Sequence, residues 1–133
     1  MSLLFNKMKR YNPSKPGAEP KWYPILKSTG LVGEKEVGVL ISDETTLNPK
    51  EAEMALHQLQ KILIRLLLEG KTVRLAGIGS FRLTAKSEGS ETKAEATANN
   101  IKKLNLRFTT SEEMRDALKK ATFIEASSLS NNK

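Results

Sequence analysis

The chain of 133 residues has no cysteine. That excludes disulfide staples, thiolate metal sites and cysteine nucleophiles. It has one histidine, His57, so no site can draw two imidazoles from it. No apolar run approaches the ~20 residues that a membrane-spanning helix needs. No paired-carboxylate motif or phosphate-binding loop is present. Gly77-Ile78-Gly79 is not a dinucleotide loop, because Arg82 stands where a third glycine belongs and no helix follows. Aromatic residues make up only 5% of the chain, and no proline occurs after Pro49. The expectation is a protein that is not an enzyme and that uses no cofactor, metal, small-molecule substrate or membrane.

What the chain does have is positive charge. Lys and Arg number 22 against 15 Asp and Glu, a net charge of +7. The excess is uneven: residues 1–30 carry +5, residues 31–70 carry −3, and residues 71–133 carry +5. A basic excess of this size points to a polyanionic partner. Lys7, Lys9 and Arg10 interrupt the N-terminal segment before an apolar signal sequence can form. The expected location is therefore cytoplasmic.

Residues 2–11 alternate like a strand, with Phe5, Lys7, Lys9 and Tyr11 on one parity and Leu4, Asn6, Met8 and Arg10 on the other. Residues 12–20 hold three prolines and must be a loop. Residues 21–29 suit a second strand, which Pro24 confines to an edge or an irregular stretch. Trp22 and Tyr23 are expected to pack on the body; stacking on nucleobases is the alternative.

A first helix is expected over 34–44, with Val37, Leu40 and Ile41 on one face and Gly38 weakening it. A longer helix follows, with Asn48 as N-cap, Pro49 at N1, Glu51 at N3 and Gly70 just beyond its end. Its apolar residues from Ala52 to Leu67 recur at helical spacing, and Ile64 and Leu68 widen the face beyond one stripe. Cover from more than one neighbour is needed, and a C2 dimer with a shared core is the simplest source. His57 lies on this helix and reads as an ordinary side chain.

From Lys71 the period changes to two. Val73, Leu75, Phe81 and Leu83 share one face of a hairpin, and Leu104, Leu106 and Phe108 continue the pattern in a third strand. Residues 85–100 hold no large apolar residue and project into solvent or are mobile. Thr110 and Glu113 form a capping box for a short helix, whose inner face is Met114, Ala117, Leu118 and Ala121. Residues 124–133 read as a disordered tail.

The stretch Leu68-Glu-Gly-Lys-Thr-Val-Arg-Leu-Ala-Gly-Ile-Gly-Ser-Phe81 resembles the bacterial histone-like HU and integration host factor family, where a long helix turns into a Gly-x-Gly-x-Phe hairpin. The resemblance spans about residues 31–123, with Met114 to Leu118 similar to the closing helix. It implies an α+β fold: an intertwined dimer with a helical base and an antiparallel sheet extended into β-arms (84–100 here). Residues 1–30 look like an added N-terminal β-hairpin. Double-stranded DNA and a second copy of the chain are the implied partners, and the nucleoid is the implied location.

The sheet carries the implied role well. Arg82, Lys86, Lys103 and Arg107 fall on the polar parity, Arg74 shares the outer face, and Lys102 marks the junction with the arm. Lys93 lies in the arm, and Lys7, Lys9 and Arg10 are possible additional contacts. Such cations neutralise phosphates and release counterions without reading sequence. The arm departs from the family, whose arms are basic with a wedging proline at an Arg-Asn-Pro tip. Here residues 84–100 set Lys86 and Lys93 against Glu88, Glu91 and Glu95, with no proline. The expected function is non-sequence-specific architectural DNA binding with weak bending. The alternative is an HU-like structural or protein-interaction dimer whose DNA binding is weak or lost. RNA or single-strand binding would need exposed aromatics on this sheet, whereas Phe81 and Phe108 fall on its apolar parity.

Overall fold

The computed structural model describes residues 1–129. The chain divides into two compact units: Gly33–Ala117, and Met1–Val32 together with the chain from Leu118 onward.

In the first unit, helix α1 (Glu34–Glu44) precedes helix α2 (Pro49–Leu68). Asn48 caps α2 through its side-chain oxygen, which accepts the Glu51 backbone N–H at 2.9 Å, and its amide donates to the Glu51 carboxylate at 2.7 Å. Gly70 follows in the left-handed region (φ 85°), and the Lys71 N–H closes back on the Leu66 carbonyl. Gly38, expected only to weaken α1, is buried where the two helices meet. A Cβ there would stand 3.2 Å from the backbone nitrogen of Glu53. The residue that costs helix propensity lets the helix backbones approach closely.

Strands β3 (Val73–Leu75), β4 (Gly79–Ser87) and β5 (Ile101–Thr110) form an antiparallel sheet in that order. Gly79 tolerates no side chain. Its φ is 154°, and a Cβ would collide with the Thr109 carbonyl oxygen and lie 2.8 Å from the Phe108 ring. The Phe81 and Phe108 rings meet across the strands with centroids 4.9 Å apart. Helix α3 (Glu112–Lys119) starts one residue later than the expected cap. Thr110 stays in the ladder opposite Gly79, so Ser111 caps instead, its hydroxyl accepting the Met114 N–H at 3.0 Å.

In the second unit, β1 (Ser2–Arg10) pairs antiparallel with β2 (Lys21–Lys27), so the N-terminal hairpin forms, and β2 is an edge strand as Pro24 requires. The expected disordered tail is corrected over its first part. Strand β6 (Thr122–Glu125) runs parallel to β1, pairing Leu3 with Phe123 and Leu4 with Ile124, and a short helix α4 (Ala126–Leu129) follows. Polar composition suggested disorder, but the stretch finds β1 and completes a three-stranded sheet. The remainder of that tail, residues 130–133, lies outside the described residues.

Very little of this chain is dry. Among the described residues, Ala52 and Leu67 are the buried apolar side chains. Ile64 on α2 is 60% exposed, and Leu104 and Leu106 on the apolar sheet face are 54% and 57% exposed.

Candidate nucleic-acid interface

The register of β4 against β5 sets Ser80 opposite Thr109, Arg82 opposite Arg107, Thr84 opposite Asn105, and Lys86 opposite Lys103. Directly opposed residues in an antiparallel ladder share a face. Arg74, opposite Ser80 on β3, joins the same face and donates from Nε to the Ser80 hydroxyl at 3.4 Å. Five of the expected cations therefore come together. The face is a ladder of rows: hydroxyls, arginines, neutral polar groups, lysines. Two cationic rows four residues apart lie about 13 Å apart along the strands. The neutral rows were not singled out from sequence, although the same parity that placed the cations contains them.

The electrostatics of this face are unfavourable to the isolated protein. Like charges directly opposite one another destabilise a sheet by about 0.2–1 kcal/mol per pair. Both cationic rows are such pairs. Among the described residues, no ion pair engages Arg82, Lys86, Lys103 or Arg107. The opposite face of the sheet carries Val73, Leu75, Phe81, Leu83, Leu104, Leu106 and Phe108, so the ladder separates cations from apolar groups completely.

Beyond Lys86 the ladder changes character. The register shifts between Lys86 and Ser87, which pairs with Ile101 and leaves Lys102 without a cross-strand partner. Lys102 instead makes an ion pair with Glu88 at 3.7 Å. The segment 88–100 is folded on itself. Asn100 donates through its amide to the Glu88 carbonyl at 2.9 Å and the Ser90 hydroxyl at 2.7 Å, and its side-chain oxygen accepts the Thr97 N–H at 3.0 Å. Lys93 sits in an exposed turn of this segment, away from the cationic rows, and its carbonyl accepts the Ala96 N–H.

The three N-terminal cations belong to the other unit and do not share one face. Lys7 and Lys9 point one way, with Lys7 3.5 Å from Glu125 and the Lys9 ammonium 5.9 Å from the centroid of Trp22. Arg10 points the other way, opposite Lys21.

Known proteins place this arrangement. A structure of a candidate bacterial DNA-binding protein from Bacteroides vulgatus matches with a TM-score of 0.65 at 10% identity, over 94% of this chain and 48% of that one. The chain thus spans about half the length of that relative. HU of Anabaena, solved with DNA, matches with a TM-score of 0.52 at 19% identity, over 65% of this chain and 97% of that one. These likenesses give the fold, which is HU-like and α+β. No curated protein matches the sequence. The family model of HU domains fused to a winged helix-turn-helix, an immunoglobulin-like domain or a glycine-rich motif matches residues 1–125, and the chain belongs to that HU-HIG family.

Proposed function

We propose that this protein is an architectural DNA-binding dimer of the nucleoid. It engages duplex DNA without sequence specificity through the Arg82–Arg107 and Lys86–Lys103 rows, with Arg74 extending the face. The observation that carries the reading is the pair of like-charge rows with no acid among them. Such rows cost stability in the free protein, and a phosphate backbone relieves that cost while releasing counterions. Arginine and lysine contacts to phosphate position a protein without reading bases.

The dimer follows from the apolar surface. A unit of this size that buries little more than Ala52 and Leu67 lacks the area to offset its chain entropy. A second copy laid against α2 and the apolar sheet face supplies it.

The arm contributes less than in other HU proteins, and bending is weak. Residues 84–100 hold no proline wedge, and Glu88 already neutralises Lys102. The decisive experiment is a gel shift with random-sequence duplex across salt, on protein whose solution mass is known. Binding that weakens steeply with salt is expected; salt-insensitive or absent binding assigns the dimer to the structural or interaction role that the acidic arm favours. End-to-end energy transfer on bound duplexes checks the bending, and sharp kinks at fixed spacing would contradict it.

A further inference from the structure

Trp22 is the chain's single tryptophan, and it is 66% exposed. Tyr23 beside it is 41% exposed, so both side chains leave much of their surface uncovered. β2 is the edge strand of its sheet, paired with β1.

The β1–β2 register fixes what surrounds the indole. Lys9 stands opposite Trp22, Lys7 opposite Pro24, and Phe5 opposite Leu26. Alternation puts these six on one face, apolar at one end and aromatic and cationic towards the hairpin loop. An open depression of about 690 Å³ is lined by Phe5, Lys7, Trp22, Tyr23 and Pro24. That is inside the ~300–1,000 Å³ range of small-molecule clefts. On the opposite face Arg10 and Lys21 are another like-charge cross-strand pair. Among the described residues, neither belongs to an ion pair.

This composition discriminates between occupants. A purely apolar partner would bury the Lys9 ammonium group, which unlike Lys7 has no carboxylate beside it among the described residues, and that is costly. A duplex backbone would satisfy the cations but leave the indole no partner, since its bases are stacked on one another. An unpaired nucleotide offers both chemistries at once: a free π-face for Trp22 and a phosphate for the adjacent lysines. The flat Pro24 and Phe5 surfaces continue the apolar floor beside the indole. Six cations against one acid in residues 1–30 favour a polyanion at this hairpin.

We propose that this face of the N-terminal hairpin is a second nucleic-acid site, selective for single-stranded or unpaired segments. A base stacks on Trp22, and Lys9 and Lys7 take the flanking phosphates. The Lys9 ammonium lies over one face of the indole, so a base that stacks there displaces it towards the flanking phosphate. Lys7, itself exposed, exchanges the partly buried Glu125 carboxylate for phosphate. The sheet-face reading of duplex binding is not a premise of this site.

The test uses the full chain and the natural fluorophore. Trp22 emission is titrated with oligo(dT), with a blunt duplex, and with vesicles containing phosphatidylglycerol. Oligo(dT) should quench the emission saturably, and the blunt duplex should bind with little quenching. Anisotropy of a labelled oligonucleotide then gives affinities of variants. Trp22→Ala should bind oligo(dT) about 5- to 150-fold more weakly, the range expected for losing one stacked base. Trp22→Phe should retain most of that affinity, and Lys9→Gln should weaken it and flatten its salt dependence. Arg82→Gln/Arg107→Gln should keep the oligo(dT) response while losing duplex affinity, so the two sites fail separately. Circular dichroism and solution mass confirm that each variant folds. The proposal is overturned if oligo(dT) leaves Trp22 emission unchanged, if Trp22→Ala binds oligo(dT) as the parent does, or if vesicles alone change the emission.

Discussion

The double variant Arg82→Gln/Arg107→Gln should lose DNA affinity and gain stability together. These two side chains face each other across β4 and β5, and no acid neutralises either. Glutamine keeps two of the three methylenes and a polar end while removing the charge. If all five cations of the face contact phosphates, a dimer makes ten contacts, and log K falls with log salt at a slope of about −9. The parent then loses about 10⁵-fold in affinity between 50 and 200 mM salt. The variant removes four contacts per dimer, so its slope falls to about −5 and the loss over the same range to about 10³-fold. Relieving one like-charge pair per protomer should stabilise the free dimer by about 0.4–2 kcal/mol at low salt. That gain should fade as salt screens the repulsion. Gel shifts at four salt concentrations and urea melts at two measure both quantities. An unchanged slope, or a variant that loses affinity because it is less stable, would refute the assignment of this face.

Three further substitutions probe the fold and the dimer. Ile64→Asp changes a residue that is mostly exposed in one chain, where a polar side chain would ordinarily cost little. If α2 is covered by a second copy, this variant should sediment as a monomer or fail to fold, and its melting temperature should lose the parent's concentration dependence. Gly79→Ala should cost more than about 2 kcal/mol in urea denaturation, because the methyl meets the Thr109 carbonyl and the φ is hostile to it. Gly38→Ala should fall much closer to neutral. The ~1 kcal/mol gained in helix propensity offsets the tight approach of its methyl to the Glu53 backbone.

Local signals were the legible part of the sequence. Asn48, Pro49 and Gly70 bounded α2 correctly because each acts through its own backbone and its immediate neighbours. Period-two alternation was enough to put Arg82, Lys86, Lys103 and Arg107 on one face, since parity survives any error in strand ends. The failures all needed a partner distant in sequence. β6 exists because Thr122–Glu125 finds β1, some 120 residues away, and no local pattern in a short polar stretch announces that. The cap of α3 moved from Thr110 to Ser111 because Gly79 holds Thr110 in the ladder. Lys102 reads from sequence as the junction with the arm, and the bulge turns it to Glu88.

The contrast between neighbouring rows of one hairpin bears on what the charges are for. At Lys102 the sequence supplies Glu88 within 3.7 Å, so this hairpin does place an acid beside a lysine. One row nearer the body, Lys86 faces Lys103, and four residues further Arg82 faces Arg107. Thr84 and Asn105, which separate those rows and are half-buried, could each have been an acid stabilised by the flanking cations, and are not. A solvated face with no ligand has no use for that restraint. A surface that must receive phosphates does, because any carboxylate there would both repel the ligand and occupy a cation. Placing an acid in the empty row should therefore harm binding more than its single charge suggests. Thr84→Glu sits between both cationic rows, so it should pair with Arg82, Lys86 or Arg107, stabilise the free sheet, and weaken duplex binding beyond the loss from removing one lysine. Duplex affinity measured beside that of Lys86→Gln decides it: a Thr84→Glu protein that binds as tightly as the parent would mean that the rows face water alone.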